Sequence, residues 1–168
     1  MKKAPLSVDA SYPTVIHLIS NPEGADEGGY EVEYDVQVWQ SANNERTWRV
    51  QLGVKFKPKG SAVAAHQGEV KYVGIFTVVE EYSTELMYRL IAVDAPSILY
   101  SSIRELVALL TGRSATKMVL LPAVSFFGAK VAPLADAAKQ VQLAQTERQS
   151  AVAVTRKKPS HTRAKAKP

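Results

Sequence analysis

Two stretches in the first third of the chain alternate apolar and polar residues with a period of two. In "YEVEYDVQVWQ" (30–40), Tyr30, Val32, Tyr34, Val36 and Val38 fall on one face of an extended strand, and Glu31, Glu33, Asp35 and Gln37 on the other. After "SANNE", "RTWRVQLGVKF" (46–56) repeats the pattern with Trp48, Val50, Leu52, Val54 and Phe56. The pair reads as a hairpin, and parity constrains its register. Both apolar sets sit at even numbers, so residues that face each other must sum to an even number. A two-residue loop at Asn43-Asn44 gives an odd sum and would bury the charged rows, so a three- or five-residue loop is required. If Ala42 pairs with Arg46, Glu33 stands opposite Lys55 and Glu31 opposite Lys57. Exposed cross-strand pairs of this kind contribute about 0.2–1 kcal/mol each, enough to favour one register.

Two more segments read as strands. "TVIHLIS" (14–20) is short and β-branched and ends at Asn21-Pro22. "EVKYVGIFTVV" (69–79) is apolar on both faces from Tyr72 onward, so both faces need a cover, part of which a subunit interface is expected to supply. The intervening stretches 23–29 and 57–68 read as loops. The period then lengthens. "STELMYRLIAV" (83–93) offers Ser83 or Thr84 as a cap and sets Leu86, Met87, Leu90 and Ile91 at helical spacing, which predicts a short helix. "DAPSILYSSIRELVALL" (94–110) opens a longer helix over about 96–111. Asp94 is placed to cap it, Pro96 suits its first turn, and Leu99, Ile103, Leu106, Val107 and Leu110 form a stripe opposite Ser101, Arg104, Glu105 and Ala108.

The connection 112–133 is long and carries two apolar clusters, Met118 to Leu121 and Val124 to Phe127; connections of this length inside a compact domain are usually functional. A second helix rich in Ala and Gln is expected over 134–154. Strands first and helices after give an α+β fold: a four-stranded antiparallel sheet with two main helices packed on one face. The expected organisation is a flexible N-terminus over 1–11, one domain over 12–154, and a disordered basic tail over 155–168.

Composition narrows the function. The chain has 168 residues, enough for one domain with a proper core, and no cysteine, which removes disulfides, thiolate metal sites and cysteine nucleophiles. No apolar run approaches the roughly 20 residues of a membrane span. "MKKAPLSVDASYP" lacks an apolar signal core, so a cytoplasmic location without membrane insertion is expected. The net charge of +5 is an appendage. Residues 156–168 hold six basic groups and no acid, whereas residues 1–155 carry 15 basic and 16 acidic groups, a net of −1. A nucleic-acid-binding core is not indicated, because its basic patch should lie on the folded surface. Contact with nucleic acid is open only to the tail.

Chemistry is sparse. His17, His66 and His161 lie apart from one another and from clustered acids, which argues against a metal site. There is no G-x-S-x-G, no glycine-rich phosphate loop and no nucleotide fingerprint. No grouping of acid, base and nucleophile emerges, so neither an enzyme nor a cofactor is expected. The apolar connection 118–127 has two readings: a loop folded onto the core, or one wall of an aromatic groove that binds extended chains through apolar contacts and main-chain hydrogen bonds.

Three blocks, in matching order over roughly 60 residues, resemble the SecB protein-export chaperone family. "EVKYVGIFTV" (69–78) is similar to that family's last strand, with Gly74-Ile75-Phe76 at its centre. "APSILYSSIREL" (95–106) resembles the family's "CPNILFPYARE" through Pro96, Ile98, Leu99, Arg104 and Glu105. "LLPAVSFFG" (120–128) resembles its "L-x-P-[IV]-N-F" loop through Leu120, Pro122, Val124 and Phe126. The resemblance implies a dimer-of-dimers homotetramer and an ATP-independent holdase for unfolded polypeptides, preproteins or an antitoxin, held in an aromatic-lined groove. It assigns client contact to Leu120, Leu121, Pro122, Val124, Phe126 and Phe127 in the loop and to Phe76 on the strand. Tyr100, which replaces the family's Phe after Ile-Leu, joins them. The family's "Phe-Pro-Tyr-Ala" step is Tyr100-Ser101-Ser102-Ile103 here, and the loop Asn is Ser125. Of the acids with which export members dock the SecA motor, only Glu69 has a counterpart, and the C-terminus is basic. SecB-like proteins that guard an antitoxin share this divergence. A second reading is an adaptor that binds one folded partner, with the tail contacting RNA, ribosome or an acidic protein.

Overall fold

The computed structural model describes residues 4–24, 29–59, 65–114 and 117–128. Four strands, β1 (Leu6–Ser20), β2 (Tyr30–Gln40), β3 (Thr47–Pro58) and β4 (His66–Val78), form one antiparallel sheet in the order β1-β4-β3-β2. Two helices follow, α1 (Thr84–Arg89) and α2 (Ala95–Thr111), joined by a π-helical turn over Leu90–Asp94. α2 packs on β3 and β4. The expected helix 134–154 and the tail 155–168 lie outside the described residues.

The hairpin register is the one parity demands. Glu31 faces Lys57, Glu33 faces Lys55 and Val36 faces Leu52. Ser41 N donates to Thr47 O at 2.8 Å, so the loop proper is the five residues 42–46. Lys57, rather than Lys55, gathers the acids: its Nζ lies 3.5 Å from Glu31 and 3.7 Å from Glu33. The even-numbered residues of β3 form the floor of the core, with Trp48, Val50, Leu52, Val54 and Phe56 all buried.

On β4 the same face carries Val70, Gly74, Phe76 and Val78. Gly74 leaves room for close packing: a Cβ there would meet the Phe76 ring and, at 2.9 Å, Leu99 Cδ2. Its bare backbone lets Leu99 of α2 descend onto the sheet beside Phe76. Val73, on the opposite face, is also buried, between Gln51 of β3 and Tyr12 of β1 in the register.

β1 departs from expectation. It starts at Leu6 rather than at residue 14, so residues 6–11, expected to be flexible, pair with β4 instead. Two extra residues, Asp9 and Thr14, sit at register shifts between Val8 and Ala10 and between Pro13 and Val15. Both bulges are tied back to β4: Asp9 Oδ2 accepts from Thr77 Oγ1 at 2.6 Å, and Thr14 Oγ1 donates to Lys71 O at 3.3 Å. β4 likewise begins at His66, which was expected in a loop. His66 is buried, with Nδ1 3.0 Å from Ser20 Oγ and Nε2 3.3 Å from Ser114 Oγ, joining the end of β1 to the turn after α2.

The short helix 83–93 is present as α1 plus the π turn. Ser83 caps it, its Oγ accepting from Leu86 N. Asp94, expected to cap α2, makes no side-chain cap; its φ of −77° and ψ of −40° are helical and the chain runs straight through. The physical reason is Pro96, which has no N–H to give and whose ring would press on the preceding turn. The π turn widens the helix at that point, and Ala95 N reaches back to Leu90 O. Of the predicted α2 stripe, Leu99, Ile103 and Val107 are buried, Leu106 partly so, and Leu110 stays exposed beside Leu109.

Candidate functional site

Beyond α2 the chain runs over 117–128 without helix or strand until a turn at Phe127-Gly128. Its main chain is fastened by side chains. Thr111, buried at the end of α2, donates through Oγ1 to Val107 O at 2.8 Å and accepts from Val119 N at 2.9 Å. Arg104 Nε donates to Leu121 O at 3.0 Å, and the Tyr100 hydroxyl to Pro122 O at 2.6 Å. From β2, the Tyr34 hydroxyl reaches Ser125 O at 3.5 Å. Burial pushes the Tyr100 phenol above its ordinary pKa, while the Arg104 guanidinium pulls the other way. The hydroxyl therefore stays a donor across the physiological range.

Apolar residues of the segment alternate between core and solvent. Val119, Leu121 and Phe126 are buried, the last at 1% exposure, whereas Met118, Leu120 (65%) and Phe127 (75%) face outward. Phe126 sits edge-on to two tyrosines, with ring centroids 4.9 Å from Tyr34 and 5.8 Å from Tyr100. Such pairs contribute about 0.5–1.5 kcal/mol beyond their area. Gly128, at φ 84°, turns the chain in a region that favours glycine.

The residues singled out from sequence are therefore divided. Leu120, Pro122 and Phe127 are exposed, Val124 is half-buried, and Leu121, Phe126 and Tyr100 are buried. Phe76 is fully buried beneath Leu99 and Gly74. Glu69 belongs to the other face of the sheet. It is 3.3 Å from Lys71 Nζ and lines a cavity of about 260 Å³ over Gly53, with Glu33, Asp35, Lys55 and Lys71 on the rim. Sequence reading missed Tyr34, Arg104 and Thr111 as parts of the site. The available signal for Tyr34 was an aromatic ring among valines, not its position at an edge. Among the described residues no His, Asp and Glu group could hold a metal, and no helix is long and apolar enough to cross a membrane.

The edge itself is informative. Ser41 N bonds Thr47 O and Lys59 N bonds Gly29 O, at 2.8 and 2.9 Å. Both pairs are odd-numbered, so in an antiparallel ladder the odd residues of β2 direct their N–H and C=O groups towards β3 and the even ones direct theirs away. Val32, Tyr34, Val36 and Val38 thus present main-chain donors and acceptors on the outer side of β2. Among the described residues no strand pairs with that side.

The comparisons with known proteins decide the family. The family model described as preprotein translocase subunit SecB matches residues 17–129. This chain belongs to the SecB family. A protein-export protein SecB from Ehrlichia canis is 32% identical over 101 residues, covering 55% of this chain and 57% of the relative. The match thus spans little more than half of that relative's length. A SecB-like chaperone of Mycobacterium tuberculosis, solved in complex with a peptide from the HigA1 antitoxin, shares the fold. Its TM-score is 0.56 at 16% identity, covering 71% of this chain and 91% of that one. The four-stranded sheet followed by the long helix is the SecB-like architecture.

Proposed function

We propose that this chain is an ATP-independent holdase that binds non-native polypeptide on the side of the sheet formed by β2 and the segment 117–128. The observation that carries the reading is the open outer side of β2, with Tyr34 on that strand in contact with Phe126 and Ser125 of the segment. Met118, Leu120, Phe127 and Tyr34 offer apolar surface, and even-numbered β2 residues offer main-chain hydrogen bonds, to which any extended chain can respond. Apolar burial gives affinity of roughly 25 cal/mol per Å² before ordering costs, with little dependence on client sequence. Candidate clients are preproteins and antitoxin segments.

The proposed assembly is a homotetramer, a dimer of dimers. β1 supports it: this edge strand of 15 residues exposes Val8 and Ile16 on one face and Tyr12, Val15 and Ile19 on the other. A long apolar edge left bare invites indiscriminate pairing, and a second copy covers it. Docking of a SecA-type motor rests on Glu69 alone, and that carboxylate is engaged with Lys71.

Light scattering of an aggregating client tests the function. Full-length protein at one tetramer per client is expected to suppress aggregation without nucleotide. Saturable binding to a native partner, with no effect on unfolded chains, would favour the adaptor reading instead. Native mass measurement tests the assembly, for which a monomer is the contrary result.

A further inference from the structure

Loop segment 121–126 is apolar and irregular, and the rest of the molecule binds it as it would bind a foreign chain. Its carbonyls at Leu121, Pro122 and Ser125 are taken by Arg104, Tyr100 and Tyr34. Its aromatic side chain, Phe126, is buried between Tyr34 and Tyr100, although the adjacent Phe127 points to solvent. Donors that read only main-chain carbonyls, and an aromatic seat, are what an unfolded client with an exposed ring would use. Tyr34, which closes the seat on the β2 side, is still 40% exposed and lies on the open edge.

Resting on the holdase reading, we infer that Phe126 is the resident occupant of the seat that a client's aromatic side chain takes, and that the Tyr100 hydroxyl is the strap holding it there. A client then competes with the chain's own loop: Phe126 leaves, the client ring enters, and the freed donors of Tyr34 and Arg104 meet client carbonyls. In the pattern the chain resembles, Phe stands at the position of Tyr100. The Tyr100 hydroxyl acts on binding through the population of the open loop, while the Tyr100 ring, one wall of the seat, is kept in Tyr100→Phe.

The test is Tyr100→Phe in the full-length protein, read in two ways. Amide exchange of residues 119–126 in the free protein reports loop opening. Titration of two labelled unfolded peptides, identical except for Phe or Ala at one position, reports binding. Removing one net hydrogen bond is expected to raise loop exchange about two- to tenfold. The Kd of the Phe peptide is expected to fall by the same factor, because apparent affinity scales with the binding-competent fraction. The Ala peptide changes little. Unchanged loop exchange overturns the strap. Faster exchange with an unchanged or weaker Kd for the Phe peptide overturns the competition. Failure of the unmodified protein to bind either peptide overturns the holdase reading itself, and the inference with it.

Discussion

Thr111→Val probes how the candidate loop is anchored, because it exchanges a hydroxyl for a methyl of nearly equal volume at a buried position. Thr111 Oγ1 is the acceptor for Val119 N at 2.9 Å, and Val119 is itself buried. Removing the oxygen leaves that amide unpaired, a cost of about 1–3 kcal/mol. Val107 O loses little, since it keeps its helical partner four residues on. The added methyl returns about 0.8 kcal/mol of apolar burial. The net expectation is a loss of about 0.2–2 kcal/mol, read as a shifted urea midpoint at unchanged slope. Thr111→Ser is the control: it keeps the hydroxyl and loses a methyl, costing about 0.8 kcal/mol by transfer alone. The two variants are thus similar in global stability and opposite in one local reading. Exchange of the Val119 amide accelerates in Thr111→Val and stays protected in Thr111→Ser. If Thr111→Val is as stable as the parent and its Val119 amide is equally protected, Thr111 does not anchor the loop.

Two further predictions follow from the packing. Gly74→Ala puts a Cβ against the Phe76 ring and 2.9 Å from Leu99 Cδ2; overpacking should cost about 1–3 kcal/mol in urea unfolding, and a neutral result would contradict the close approach of α2. The raised pKa of Tyr100 makes stability depend on alkaline pH. The unfolded chain loses this proton near pH ~10 while the folded chain keeps it, so the contribution is complete below that pH and is lost as pH rises through the folded value. The stability difference between the parent and Tyr100→Phe should therefore shrink as pH rises past the ordinary phenol range of about 10, and a constant difference would refute the assignment.

Much of the sheet was legible because period two leaves few choices. The even-numbered apolar residues of β2 and β3 and the acid–lysine rows opposite them admit one hairpin register, and the structure adopts it. The first half of β1 was not legible. "LSVDASYP" has a weak alternation that the bulge at Asp9 interrupts, and Pro13 reads locally as a break. Its place is set by pairing with β4, a contact between residues some 60 positions apart. At Asp94-Ala95-Pro96 local rules predict a new helix start, whereas the wide turn keeps the earlier helix continuous. For the site, the loop could be singled out by its apolar clusters, but not which rings face inward. That depends on strand order, which puts β2 at an edge, and on hydrogen bonds from Tyr34, Tyr100 and Arg104 that no spacing encodes.

The two bulges of β1 also make its length negotiable. Deleting Asp9 or Thr14 removes the residue that has no partner and leaves the neighbouring pairs facing as before. In β3, whose ladders run without a shift, the same deletion would turn Lys55 and Lys57 inward and Val54 and Phe56 out. Single-residue insertions and deletions inherited by relatives of this chain should therefore gather in the first strand and be absent from the third, and a collection of their sequences can be read for that asymmetry.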